Sequence, residues 1–147
     1  MKKGIHKKGE FSLQELLDST KANPKFSDAG AIMLFIGVVR GKTQSNKTVK
    51  KLELEAYEEK ANETIDKICK DLQKKEGIVD VQIHHFIGDL NAGEDLVYVL
   101  VAGSHRQNIF PVLEEAVERY KSEVPIFKKE YITDEKGKVK SYWVSEH

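Results

Sequence analysis

The chain is organised around the segment VYVLVAGSHRQNIFPVLEEAVERYKSEVPIFKK, residues 97–129. Its first five residues form an apolar run that is typical of a buried strand. Small residues at 102–104 then break the strand, and apolar residues recur at helical spacing from Ile109 to Tyr120. Pro125 ends the helix, because the residue before a proline disfavours helical backbone angles. The segment therefore predicts a strand, a long helix and a short second strand.

His105 and Arg106 lie where this helix is expected to begin. The first backbone amides of a helix have no partner within the helix and carry partial positive charge, so they attract phosphate or carboxylate groups. An imidazole that titrates near neutral pH and a guanidinium would strengthen such an anion site. The alternative is a helix-start histidine beside an exposed arginine, and the spacing alone leaves both interpretations open.

Two lysines, Lys121 and Lys128, lie on either side of the turn at Pro125. Seven extended residues span up to about 25 Å, so only the chain reversal allows the two amines to converge. If they cluster with Arg119 and Lys129, the neighbouring positive charge would favour the neutral form of each amine. Because the chain is rich in lysine, solvated surface amines are the simpler interpretation from the residues alone.

Arg40 follows the apolar run at residues 31–39, which predicts a central strand. An arginine at the end of a strand is either a surface residue or a bidentate clamp for an anion, and both remain open. The adjacent residues His84 and His85 are not expected to bind a metal, because neighbouring strand residues point to opposite faces and no second cluster has ligand spacing. We therefore expect no metal site.

The remaining patterns predict alternating helices and strands. They are a helix from the capping box at 12–15 to about residue 22, a one-side-buried strand at 50–57, a helix at 58–76, a half-exposed strand from residue 79, and a hairpin of strands 126–132 and 138–144. In chain order the elements are helix, strand, strand, helix, strand, strand, helix, strand and strand. This order predicts an α+β fold in which two main helices pack on a mixed, mainly antiparallel sheet.

Length and composition limit the possible functions. With 147 residues the chain is expected to form one domain at 11–147, preceded by a flexible basic tail at 1–10. The 24 basic and 24 acidic residues cancel, so general binding to a polyanion such as nucleic acid is disfavoured. The single cysteine, Cys69, lies on an apolar helical stripe, which indicates a buried thiol. No signal-peptide or membrane-spanning pattern is present, so we expect a soluble cytoplasmic protein.

Five separated motifs carry a family resemblance over residues 28–144. They are GAIMLFIGVVR at 30–40, LEAY at 54–57, HFIGDL with the following GE at 85–94, SHR at 104–106, and YKSEVPIFKKE at 120–130. Together and in this order they resemble the large, catalytic subunit of molybdopterin synthase. The resemblance implies an α/β-hammerhead-like arrangement of the α+β fold.

The resemblance also implies sulfur transfer in molybdenum cofactor biosynthesis. Enzymes of this family convert cyclic pyranopterin monophosphate to molybdopterin by installing two dithiolene sulfurs. Each sulfur comes from the C-terminal Gly-Gly thiocarboxylate of a small ubiquitin-like carrier subunit, and the step needs no metal or other cofactor. The large subunit is expected to form a homodimer within a heterotetramer that has one carrier at each end.

Carried onto this sequence, the resemblance implies that Lys121 and Lys128 are catalytic and that Arg40, His105 and Arg106 bind the substrate anion. The pocket is expected to be completed across the dimer, with His105 and Arg106 from one protomer and Arg40 with the lysines from the other. The lysines would position the acyl carbon of the carrier, stabilise an oxyanion or move protons. Lys128 and Lys129 point to opposite faces of their strand, so Lys129 would take the role of Lys128 if the face of Lys129 were the one that lines the pocket.

Two other functions compete with the synthase. The first is a non-catalytic scaffold that binds a ubiquitin-like sulfur carrier or a phosphorylated metabolite. The second is an RNA-binding module that uses Arg40, Lys121 and Lys128, but the sequence has no exposed aromatic stacking set on a strand and no net positive charge. The presence of every residue expected at the site favours the enzyme over the scaffold.

Overall fold

The computed structural model describes residues 4–144, which contain three α-helices and seven β-strands. The helices are α1 (Leu13–Lys21), α2 (Glu58–Gln73) and α3 (Arg106–Glu123), and a single 3-10 turn spans Phe26–Asp28. The strands are β1 (Ile5–Lys7), β2 (Ala31–Val38), β3 (Thr48–Ala56), β4 (Ile78–Asn91), β5 (Asp95–Gly103), β6 (Ile126–Thr133) and β7 (Val139–Val144). Within these residues no helix is long and apolar enough to cross a membrane.

All seven strands belong to one sheet whose main path is β2-β5-β4-β3-β6-β7. Neighbours on this path are antiparallel, whereas β1 pairs in parallel with β4. Helices α2 and α3 pack on β4 and β5 and on each other, which buries the apolar stripe of each helix. The predicted α+β class, with helices on a mixed and mainly antiparallel sheet, is confirmed.

The helix boundaries follow local sequence signals closely. The Ser12 hydroxyl accepts a hydrogen bond from the backbone N–H of Glu15 at 3.1 Å, so the predicted capping box begins α1. The second helix ends at Gln73, three residues before the predicted end at 76, and its Cys69 is half-buried rather than fully buried. The third helix ends directly before the Val124 and Pro125 turn, as predicted.

The strand β4 differs from its prediction because it is buried on both faces. Its alternating polar residues indicated an exposed face, yet Gln82 is 3% exposed and His84 is 5% exposed. Gln82 Nε2 donates a hydrogen bond at 3.0 Å to the Thr20 hydroxyl of α1, and Gln82 Oε1 lies 3.0 Å from His84 Nε2. Helix α1 and these bonds supply the partners that water would otherwise supply, which is why polar residues remain in the interior.

The strand β2 was predicted to be central but lies at the edge of the sheet. Only β5 pairs with it in the residues described, and Ile36 and Val38 remain 39% and 48% exposed. An apolar run indicates apolar surroundings on both faces, but it says nothing about whether both edges are paired. The strand β2 therefore offers an unpaired backbone edge and two partly exposed apolar side chains, a surface suited to association with another chain.

The N-terminal segment also departs from its prediction as a tail at 1–10. Residues Ile5–Lys7 form β1, and Ile5 is 1% exposed. Asn62 of α2 fixes this strand, since its Oδ1 accepts hydrogen bonds from the backbone N–H groups of Gly4 and Ile5, each at 2.8 Å. Residues 1–3 lie outside the described residues.

Replacing Asn62 with alanine should destabilise the protein by about 2 kcal/mol, because two buried N–H donors would lose their acceptor. The free energy of unfolding from urea titration tests this value. Glu63→Ala, an exposed change one residue further along α2, is the control and should stay within about 0.5 kcal/mol of wild type. An Asn62→Ala midpoint equal to that of wild type would show that β1 is not held in this way.

Candidate active site

A cleft of about 740 Å³ opens between the end of α3, the β6–β7 hairpin and the loop that follows β2. Three of the predicted site residues line it, namely Arg40, Lys121 and Lys128. Arg40 follows β2, Lys121 lies in the last turn of α3, and Lys128 lies on β6. Arg40 precedes the two lysines by more than 80 positions in the chain, yet all three cations line one cavity.

The reversal between α3 and β6 brings the two lysines together. The Val124 N–H donates to the Tyr120 carbonyl at 3.1 Å, and the Ile126 N–H donates to the Val124 carbonyl at 2.9 Å. This tight turn places β6 directly beside the end of the helix. Lys121 and Lys128 also line a second, much smaller cavity beneath the cleft, so the convergence that the sequence only allowed is present in the structure.

The alternation of side chains along β6 distinguishes Lys128 from Lys129. Lys128 faces the cleft, as does Glu130 two residues later. The Lys129 side chain points to the opposite face, where its Nζ lies 5.7 Å from the ring centroids of both Tyr131 and Trp143. The pocket face of the strand is therefore the face of Lys128.

Arg119 does not join the cationic group that the sequence suggested. Its Nε lies 2.7 Å from a Glu123 carboxylate oxygen, and its Nη1 lies 3.2 Å from Asp71 of α2. The hydrogen bond from Arg119 lowers the pKa of Glu123 below its usual value. Arg119 thus links α3 to α2 through ion pairs. Because it does not line the cleft, the group of cations there is smaller than the sequence suggested.

The cleft contains polar residues that the sequence interpretation did not select. The hydroxyl of Tyr142 on β7 donates a hydrogen bond to the Glu130 carboxylate, and this bond, together with burial, raises the pKa of Tyr142 to about 12. The loop after β2 adds residues 42–45 to the wall. Glu130 could have been found from its i+2 spacing to Lys128, and Tyr142 from its pairing with Glu130 across the predicted hairpin.

His105 and Arg106 lie at the opposite end of α3 from the cleft. His105 is the N-cap residue with extended backbone angles, Arg106 is the first helical residue, and both side chains are exposed. Arg106 and Lys121 are 15 positions apart on one helix (121 minus 106), which corresponds to about 22 Å. The structure therefore does not bring these two predicted site residues into the cleft of the same protomer.

The sequence is similar to one protein family and to several of its relatives. The family model described as MoaE protein matches residues 6–123. A probable molybdopterin synthase from Haloferax volcanii is 38% identical over 134 residues, covering 90% of this chain, and this chain spans only 49% of that relative's length. The molybdopterin synthase catalytic subunit of Pyrococcus abyssi is 34% identical over 131 residues, which cover 89% of this chain and 84% of that one.

Solved structures share the whole fold. The crystal structure of molybdopterin synthase from Staphylococcus aureus superposes with a TM-score of 0.81 and 29% identity, covering 99% of this chain and 98% of that one. One chain of a complex of subunits 1 and 2 of the Helicobacter pylori molybdopterin-converting factor gives a TM-score of 0.69 at 24% identity, covering 92% and 86% of the two chains, and shows the shared fold.

The sequence matches and the structural matches both agree with the five motifs. The family model covers most of the chain, including β1 to α3, and the structural match extends through the β6–β7 hairpin that carries Lys128. The resemblance inferred from the five motifs is confirmed, as is the assignment to a family whose curated relatives are named as enzymes of molybdopterin synthesis. The chain belongs to the MoaE protein family.

Proposed function

We propose that this protein is the catalytic subunit of a molybdopterin synthase, which transfers sulfur from a carrier thiocarboxylate to cyclic pyranopterin monophosphate. The observation that carries the proposal is the convergence of Arg40, Lys121 and Lys128 on one cleft. The formal net charge of the chain is zero, so the local cluster, and not the overall charge, would attract an anionic substrate. The names of the relatives in this family agree with this activity.

The chemistry of sulfur transfer suits these side chains. The substrate carries a phosphate, which a guanidinium such as that of Arg40 binds through paired N–H donors. When the acyl carbon of the thiocarboxylate is attacked, negative charge develops on its oxygen, and a lysine ammonium group beside that oxygen stabilises the charge. Lys121 and Lys128 border both the cleft and the cavity beneath it, so either amine is placed for this role.

We infer that a second copy of the chain completes the site. His105 and Arg106 are about 22 Å from Lys121 along the helix, so they reach a cleft only if it belongs to another protomer. The free edge of β2 supports this arrangement, because Val38 of that strand is 48% exposed and also lines the cleft. A homodimer formed on this surface would cover the apolar edge and place partner residues beside each cleft.

The proposed partner is a small ubiquitin-like carrier whose C-terminus ends in Gly-Gly. A glycine tail has no side chains, so it can extend into the cleft and bring its terminal thiocarboxylate to the lysines. Two clefts in a homodimer would take two carriers and give a heterotetramer. The fold shared with a chain of the two-subunit Helicobacter pylori complex supports a small-subunit partner.

The test is to mix the purified protein with thiocarboxylated carrier and cyclic pyranopterin monophosphate and to measure molybdopterin by mass spectrometry. Turnover that depends on the thiocarboxylate supports the synthase. Binding of the carrier without product would instead favour the non-catalytic scaffold, and salt-dependent RNA binding with neither carrier binding nor product would favour the RNA-binding module.

A further inference from the structure

A buried histidine lies directly beneath the two lysines of the cleft. His85 of β4 is 1% exposed, and its ring centroid lies 5.9 Å from that of Tyr120 on α3. The His85 side chain helps to line the small cavity that Lys121 and Lys128 also line. The cavity has a volume of about 20 Å³, which is enough for one water molecule. An ionisable ring therefore lines the same small cavity as both amines.

The hydrogen bond on one ring nitrogen fixes the tautomer of neutral His85. Its Nδ1 lies 2.8 Å from the backbone carbonyl oxygen of Phe86. A carbonyl oxygen can only accept, so Nδ1 must carry the proton, and Nε2 of the neutral ring is then a hydrogen-bond acceptor. Nε2 is also the ring nitrogen farther from the backbone. A neutral His85 thus has one acceptor nitrogen, on a ring that lines the same cavity as two ammonium donors.

The groups around the cavity that His85 shares with the lysines come from two elements, α3 and β6. The titratable side chains around the shared cavity are Tyr120 and Lys121 from α3 and Lys128 from β6. The residues paired with His85 on the neighbouring strands are Ile5 of β1 and Val97 of β5, and neither is charged. Protonation of the His85 ring would therefore remove its one nitrogen that can accept a hydrogen bond. It would also add a third positive charge beside the two lysines.

We propose that His85 is a positioning residue that, in its neutral form, orients Lys121 and Lys128 through the cavity they share. The neutral imidazole accepts a hydrogen bond from an ammonium group, either directly or through one water molecule, and thereby directs the amines toward the cleft. Protonation reverses this effect, so the positions of the lysines depend on the charge of the His85 ring. The proposal deepens the proposed function and rests on it for its link to catalysis.

Two substitutions separate the two ring nitrogens. His85→Asn keeps a donor near the Nδ1 position and removes the distal acceptor, whereas His85→Gln places an amide near the Nε2 position and cannot titrate. We expect His85→Asn to lower kcat by about tenfold or more with little change in KM for the carrier. We expect His85→Gln to recover much of this loss and to abolish the part of the acidic limb of the kcat profile that protonation of His85 causes.

A second measurement does not depend on turnover. The side-chain nitrogen signals of Lys121 and Lys128, followed by NMR as the pH is lowered from neutral, should show an inflection in wild type that is absent from His85→Gln. The matched control is His84→Gln, which alters the adjacent buried histidine on the opposite face of β4 and should leave both the inflection and kcat unchanged. Urea unfolding of each variant establishes that it is folded.

The outcomes are distinct for the two proposals. If the inflection is present in wild type and lost in His85→Gln, the coupling between ring and lysines stands even if the protein makes no molybdopterin. If wild type turns over but lysine signals and pH profile are the same in His85→Gln, the positioning role is overturned while the synthase assignment survives. A His85→Asn variant that is folded and has wild-type kcat would overturn it as well.

Discussion

Alanine at Lys121 or at Lys128 should lower the rate of molybdopterin formation by about a hundredfold or more, because each change removes a cation from the place where negative charge would develop. Both side chains line the cleft and the cavity below it. Lys121 is exposed and Lys128 is half-buried, so neither substitution removes a large part of the apolar core. The rate is measured with saturating carrier and substrate, so that weaker binding does not hide the loss in kcat.

The sequence offers a closely matched control for this experiment. Lys129→Ala removes the same charge from the adjacent residue, but on the face of β6 where Lys129 lies over Tyr131 and Trp143. We expect it to retain kcat within about threefold of wild type, since no transition-state contact is lost. Equal losses for Lys128→Ala and Lys129→Ala would mean that general charge, and not position in the cleft, drives the reaction.

Co-expression of two inactive variants should restore about one quarter of the wild-type activity to the total pool of dimers, and about one half to the isolated mixed dimers, if each site is shared between protomers. The two variants are Lys121→Ala and Arg106→Ala. In a mixed dimer, one site would contain both substitutions, whereas the other would combine the intact Lys121 of one protomer with the intact Arg106 of its partner. Random assortment makes half of the dimers mixed, and half of the sites in those dimers are intact.

The control for this experiment is a second mixture of variants, in which both substitutions lie in the same cleft. Lys121 and Lys128 line the same cleft of one protomer, so Lys121→Ala and Lys128→Ala should not complement each other. Co-expression with two affinity tags isolates the mixed dimers and shows that they form. Recovery in neither mixture, with mixed dimers present, would contradict the shared site and would leave His105 and Arg106 without a role in the cleft.

Local patterns predicted most of the elements because the forces behind them act over short stretches. The capping bond between Ser12 and Glu15 spans three residues, and the stop before Pro125 depends on one peptide unit. The hairpin of β6 and β7 likewise follows from alternation on both sides of a short turn. The order of helices and strands, and hence the α+β class, could therefore be predicted without any knowledge of long-range contacts.

The predictions failed where a distant segment supplied the partner. Polar residues of β4 were expected at the surface, but α1 covers them and bonds to Gln82. The first strand was expected to be a tail because its few apolar residues give little periodic signal, and Asn62, more than 50 positions away, supplies the acceptor that fixes it. The edge position of β2 depends on strand order, which an apolar run does not encode.

By itself, the sequence determined most of the elements, the five family motifs and the residue types of the candidate site, since each of these depends on the spacing of residues along the chain. The tertiary structure alone decided that Lys128 and not Lys129 faces the cleft, and that His85 lies beneath the lysines. It also placed Arg106 at the far end of α3 from Lys121. The physical reason is that these facts depend on which strand faces and helix ends pack together, and such contacts join residues that are remote in sequence.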